Sequence, residues 1–204
     1  MNYFEIFGLP RTLGVDPAAL QRRFYELSRE HHPDFHQAAP AAEQARVLQT
    51  SARINAAYRT LRDPIKRAQY LVRLEEGGDS AAAATETDDR TDERTLAAPP
   101  ELLAEMFEIQ EALQEARGGG LDDTTRATLT QQRDALMERR AAEEARITGS
   151  LGEAWDRAAP EERPGLVAQL KAALARRAYF RTVIDDLTDA LDGSGEGHVA
   201  HHRH

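Results

Sequence analysis

The sequence predicts an all-α protein in two helical parts: an N-terminal antiparallel helical hairpin plus short helices, and a C-terminal three-helix bundle. Three observations predict it. Ala, Leu, Arg, Glu and Gln dominate and β-branched runs are absent, a composition that favours helix over sheet. Apolar residues recur at helical spacing, as in Leu20, Phe24 and Leu27, and again in Val47, Ile54, Tyr58 and Leu61. Aspartate–proline pairs, Asp16-Pro17 and Asp63-Pro64, stand where helices must begin, because the carboxylate accepts orphan N–H groups and proline fits the first turn.

In chain order, Asn2 to Phe7 is short and apolar on one side (Tyr3, Phe4, Phe7), and Gly8 and Pro10 end it. The helix begun at Asp16 must stop near His31, since the residue before Pro33 is pushed out of the α region. A third helix is expected over Ala41 to Arg62, and a fourth (Ile65, Ala68, Leu71, Leu74) stops at Gly77-Gly78. These elements form one unit, residues 1–76. Residues 77–98 are rich in Ala, Thr, Asp, Glu and Arg, with Leu96 as the one large apolar side chain, and read as a linker. Its charge run Asp88-Asp89 with Asp92-Glu93 reads as solvating.

Residues 99–192 return to helical periodicity in three lengths. Glu101 to Arg117 ends at Gly118-Gly119-Gly120. Asp122 or Asp123 caps a long helix running towards Trp155, with Gly149 and Gly152 as weak points costing about 1 kcal/mol each relative to Ala. After Ala159-Pro160-Glu161-Glu162, a last helix carries Leu166, Leu170, Ala173, Phe180, Ile184, Leu187 and Leu191 on one stripe. Short connections favour an antiparallel bundle, with Trp155 capping its end and residues 193–204 as a tail.

Composition excludes several functions. The net charge of -9 argues against general nucleic-acid binding, which needs a basic surface. With no cysteine, disulfides, thiolate catalysis and cysteine-based metal ligation are out, which fits a reducing cytoplasm. No apolar run approaches the roughly 20 residues of a membrane span, and the Met-Asn-Tyr-Phe-Glu start does not resemble a secretion signal. No phosphate-binding glycine loop, Gly-x-Ser-x-Gly or His-Glu-x-x-His motif is present, so no enzymatic activity is expected. His31, His32 and His36, and His198, His201, His202 and His204, raise metal ligation. The last four sit among Gly193, Gly195 and Gly197, which hold nothing in place, so neither a metal site nor a cofactor is expected.

The most informative feature is His32-Pro33-Asp34, between the second and third helices. Proline fixes the backbone between two polar side chains, which suits docking by charge-assisted hydrogen bonds. Asp63-Pro64-Ile65-Lys66-Arg67-Ala68-Gln69-Tyr70 resembles the signature that follows the third helix of J-domains. In Glu101 to Arg117, Leu102, Met106, Ile109 and Leu113 suffice as a buried seam. Leu103 and Phe107 lie about 100° further round, flanked by Ala104, Glu108 and Glu111. Periodicity leaves two readings open: a wide core stripe, slightly favoured, or an exposed apolar face rimmed by carboxylates that binds another protein.

Three stretches carry a closer resemblance: Asn2 to Pro10, Leu27 to Phe35, and Ser51 to Leu61. They resemble the HscB family, the J-type co-chaperones of iron–sulfur cluster assembly. The resemblance implies a protein that delivers the iron–sulfur scaffold protein to the DnaK-type ATPase chaperone HscA and stimulates ATP hydrolysis there. It implies His32, Pro33 and Asp34 as the activating residues, and Arg22, Arg23 and Arg29 of the second helix as the docking cations. Scaffold binding would fall to Leu103, Ala104, Phe107, Glu108 and Glu111, with Tyr179 as a further exposed contact from the last helix. A cytoplasmic monomer is expected, without nucleic-acid or membrane partners. The alternative is a general J-domain co-chaperone with a different chaperone and client set.

Overall fold

The computed structural model describes residues 1–77, 102–119 and 122–193, and every regular element among them is helical. In order these are α1 (Tyr3–Phe7), α2 (Pro17–Glu30), a 3-10 turn (Pro33–His36), α3 (Ala41–Arg62), α4 (Pro64–Glu75), α5 (Leu103–Gly119), α6 (Asp123–Arg146), a π turn (Ile147–Leu151), α7 (Gly152–Arg157) and α8 (Arg163–Gly193). The expected linker and the His-rich tail lie outside the described residues apart from Gly77 and Gly193 at their edges. Two compact units emerge: one gathers residues 1–77 with 146–171, the other 102–119 and 122–145 with 172–193.

In the first unit the short α1 survives because both ends are satisfied. Asn2 and Glu5 form a reciprocal capping box, and Gly8, at φ 64°, closes the helix in the left-handed region that glycine tolerates. Asp16 accepts from the Ala18 N–H to start α2, which ends at His31 as the following proline demands. The hairpin of α2 and α3 buries Leu20 and Leu27 against Val47, Ile54, Ala57 and Leu61. Phe24 stacks on Tyr58 with ring centroids 4.0 Å apart, and Arg62 of α3 lies 5.7 Å from the Tyr58 ring centroid.

The α4 motif has a physical account residue by residue. Asp63 accepts from the Ile65 and Lys66 N–H groups (2.9 and 3.0 Å), and Pro64 occupies the first turn. Arg67 is buried and donates to the Leu61 carbonyl at 2.5 Å, satisfying an acceptor at the end of α3. Burial lowers its guanidinium pKa, and Asp156 and Asp63 oppose that shift. Tyr70 accepts from the Tyr3 N–H at 2.8 Å and stacks on the Tyr3 ring at 4.5 Å, which fastens α1 to α4.

Residues 146–171 complete this unit rather than the bundle in which the sequence placed them. Trp155 is fully buried; its indole N–H donates to the Arg11 carbonyl at 2.9 Å, and Arg163 lies over its ring. It is therefore not a cap on the bundle. Asp156 accepts from the Leu13 and Gly14 N–H groups at 2.6 and 2.7 Å. The glycines expected to weaken the long helix fall in or beside the π turn, a local widening that shifts the phase of the residues beyond it. Gly152 also permits close packing, since a Cβ there would lie 3.2 Å from the Ile147 carbonyl and 3.5 Å from Leu13 Cβ.

The second unit is a three-helix body. Its core unites Leu102, Ile109 and Leu113 of the first segment with Leu129 and Leu136 of α6 and the Phe180–Leu191 stripe of α8. Antiparallel neighbours are pinned by Arg139–Glu105 (2.5 Å), Arg176–Glu143 (2.7 Å) and Arg177–Glu144 (2.8 Å). Arg139 also lies over the Phe180 ring at 4.6 Å.

Truncating Trp155 to Ala should cost about 3–5 kcal/mol of stability, read as a lower urea midpoint. Asp156→Ala should accelerate amide hydrogen exchange at Leu13 and Gly14 while leaving the α5–α6 amides unchanged.

Candidate functional site

The His-Pro-Asp turn is braced from within and from α3. His32 caps the 3-10 turn, its Nδ1 accepting from the Asp34 N–H at 3.2 Å and lying 3.6 Å from Asp34 Oδ2. With Nδ1 accepting, Nε2 carries the ring's donor proton. The Gln44 amide donates to the Gln37 and Ala39 carbonyls (2.8 and 2.9 Å) and closes the loop onto α3. His32 and Asp34 are both exposed. A hydrogen-bond donor and a carboxylate are thus offered side by side on a stiff bend, ready to meet complementary groups on a partner.

The three α2 arginines expected to dock a partner are exposed but not equivalent. Arg22 and Arg29, seven residues apart, share one helix face, and the same face leads into His32. Arg23 points elsewhere and pairs with Glu26 at 2.9 Å. Two residues missed in the sequence stand on this side. Tyr25 is 62% exposed and Phe35, directly after the motif, is 71% exposed. Tyr25 was legible as an aromatic off the Leu20–Phe24–Leu27 stripe; nothing in the pattern marked Phe35.

On α5 the open choice resolves towards exposure. Leu102, Ile109 and Leu113 are buried, whereas Leu103 is 40% and Phe107 68% exposed, with Ala104, Glu108 and Glu111 exposed beside them. The structure corrects the expectation for Tyr179, which is only 8% exposed and packs edge-on against Phe180 in the core. The reason is width: α8 faces two helices at once, so its buried arc extends beyond a single stripe. The Tyr179 hydroxyl has no hydrogen-bond partner among the described residues, and burial, helped by Glu105 and opposed by Arg139, raises its pKa.

His31, His32 and His36 do not converge; among the described residues no three His, Asp or Glu side chains are grouped to hold a metal ion. Likewise, no helix among them is long and apolar enough to cross a membrane.

An antiparallel hairpin with a braced His-Pro-Asp bend, locked by the α4 motif, defines a J-domain, and residues 2–70 match the DnaJ domain family. The likeness extends well beyond that unit. The chain is 35% identical over 191 residues to the co-chaperone protein HscB homolog of Cupriavidus taiwanensis, covering 94% of each. It is 40% identical over 119 residues to the corresponding homolog of Azoarcus sp. (strain BH72), a match spanning 58% of this chain and 61% of that relative. Among solved structures it is similar to chaperone HscB from Vibrio cholerae, with a TM-score of 0.57 and 25% identity over 94% of this chain and 99% of that one. It shares the fold of human co-chaperone protein HscB (TM-score 0.56, 24% identity, 92% and 81% covered). The chain belongs to the HscB family, whose members are co-chaperones and not enzymes.

Because Phe107 projects from the body, Phe107→Ala should change stability by less than about 1 kcal/mol, whereas Phe180→Ala should cost about 3–5 kcal/mol. Thermal melting of the two variants separates a surface anchor from a core residue.

Proposed function

We propose that this chain delivers an iron–sulfur scaffold protein to a DnaK-type ATPase chaperone of the HscA kind and stimulates ATP hydrolysis there, aiding maturation of iron–sulfur proteins in the cytoplasm. One observation carries the reading: two exposed surfaces of different chemistry stand in separate compact units. The first presents His32 and Asp34 on a braced bend beside Arg22 and Arg29; the second presents Leu103 and Phe107 beside Glu108 and Glu111.

The covalent chemistry belongs to the partner. The J-domain acts by binding one conformational state of the ATPase better than another, so its effect is limited by that difference in affinity. His32, Pro33 and Asp34 make the state-dependent contacts, and Arg22 and Arg29 orient the approach. Arg23, tied to Glu26, contributes less. On the second unit, Leu103, Ala104 and Phe107 seat against an apolar patch of the scaffold protein, and Glu108 and Glu111 meet cationic groups at its rim. Tyr179, being buried, supports that helix from the core rather than touching the scaffold. The chain works as a monomer and without a cofactor of its own. Residues 1–76 serve the chaperone, and the second unit, residues 102–119, 122–145 and 172–193, serves the scaffold.

His32→Gln should abolish stimulation of steady-state ATP hydrolysis while calorimetry still records scaffold binding. Loss of both activities with the fold intact contradicts the division of labour. Phe107→Ala combined with Glu108→Ala should weaken scaffold binding by about tenfold or more, equivalent to about 1.4 kcal/mol. Unchanged scaffold affinity in that double variant would remove α5 from the proposal.

A further inference from the structure

We propose that the chaperone-facing surface carries two aromatic anchors, Tyr25 and Phe35, which seat in apolar hollows of the ATPase, so that docking persists when charge is screened. This rests on the reading above that the His-Pro-Asp face meets a DnaK-type chaperone. Arg22, Tyr25, Arg29 and His32 follow one another at three- and four-residue spacing, which aligns them along one side of α2 and into the turn. Phe35 stands three residues further on, in the 3-10 turn itself.

Charge alone is a weak docking device here. Arg23 is neutralised by Glu26, leaving Arg22 and Arg29, and exposed ion pairs contribute little once salt screens them. Tyr25 and Phe35 lose the most water on contact with a partner, being among the most exposed large side chains of the molecule. Both are held ready. The Tyr25 ring leans on Phe24 at 5.8 Å, and its hydroxyl accepts from the Gln21 amide at 3.4 Å. Phe24 is itself stacked on Tyr58 of α3, so Tyr25 ends a ladder rooted in the hairpin. Phe35 stands edge-on to the His32 ring at 5.8 Å, and its N–H donates to the His32 carbonyl at 3.1 Å. Side chains already restrained lose little freedom on binding, and aromatics beside arginine are the composition of interface hot spots. The matching surface on the ATPase is an apolar hollow rimmed by carboxylates: the hollow takes the rings, and the rim takes Arg22 and Arg29.

The test titrates the full chain into a DnaK-type chaperone and reads ATP hydrolysis at low and at high potassium chloride. Tyr25→Ala should raise the concentration giving half-maximal stimulation by about tenfold at both salts, with the maximal stimulation retained. Arg22→Ala with Arg29→Ala should raise it at low salt and matter little at high salt. Tyr25→Phe, which keeps the ring, should stay close to the unaltered protein. Phe35→Ala should resemble Tyr25→Ala, and Phe35→Leu, which keeps an apolar side chain, should recover most of the loss even if the turn loosens. Melting temperatures confirm that each variant is folded. Half-maximal concentrations unmoved by Tyr25→Ala and Phe35→Ala, while the unaltered protein stimulates hydrolysis, would overturn the anchors and leave the chaperone partnership standing. An unaltered protein that stimulates nothing would bring down the partnership itself, and the anchors with it.

Discussion

The Leu61 carbonyl, at the end of α3, lies in the interior where water cannot satisfy it, and the Arg67 guanidinium does so at 2.5 Å. Much else follows from that bond. It requires α4 to reverse sharply after α3, which Asp63 and Pro64 make possible by capping and starting the new helix. The reversal places Tyr70 against Tyr3, so that α1, too short to persist alone, becomes part of the core. With both ends of α3 secured, Gln44 near its start can brace the loop that presents His32 and Asp34. The polar display at one end of the hairpin thus depends on a buried charge at the other, and a buried charge left without its partner is costly.

The exposed surfaces obey a different economy. Nothing in the fold requires Phe107, Leu103, Tyr25 or Phe35 to be apolar; each would be more comfortable in water as a polar residue. Each sits on a helix or turn whose opposite side is well packed, so its direction is set by the scaffold beneath it. Exposed apolar residues on rigid supports are what interfaces are made of, and here they appear beside charges of opposite sign: cations on α2, carboxylates on α5. That contrast in sign distinguishes the two surfaces.

Local chemistry was the legible part. The proline-bearing starts of α2 and α4, the stop at His31 and the buried stripe of the hairpin were all read from spacing and cap residues, because each depends on neighbours within a turn or two. What escaped depends on distant chain. Trp155 and Asp156 meet Arg11, Leu13 and Gly14 across more than 140 positions, and no periodicity encodes that. The glycines of the long helix were recognised as weak, but not that a Cβ at Gly152 would crowd the Ile147 carbonyl at 3.2 Å, with Leu13 in ordinary contact beside it. Tyr179 was misjudged because one stripe was assumed where a helix with two neighbours buries a broader arc. The same uncertainty of width left Leu103 and Phe107 undecided until their surroundings were known. The Arg23–Glu26 pairing, at three residues' spacing, was there to be read.

The long reach of Asp156 has a consequence for the order of events during synthesis. The Leu13 amide waits for a carboxylate encoded 143 residues later. At about 5–20 residues per second, a ribosome takes about 7 to 30 s to supply it. The N-terminal helices emerge early but cannot finish their own packing until most of the polypeptide has left the exit tunnel. A nascent chain therefore completes the unit that bears the His-Pro-Asp bend only when residues 102–145 are already made.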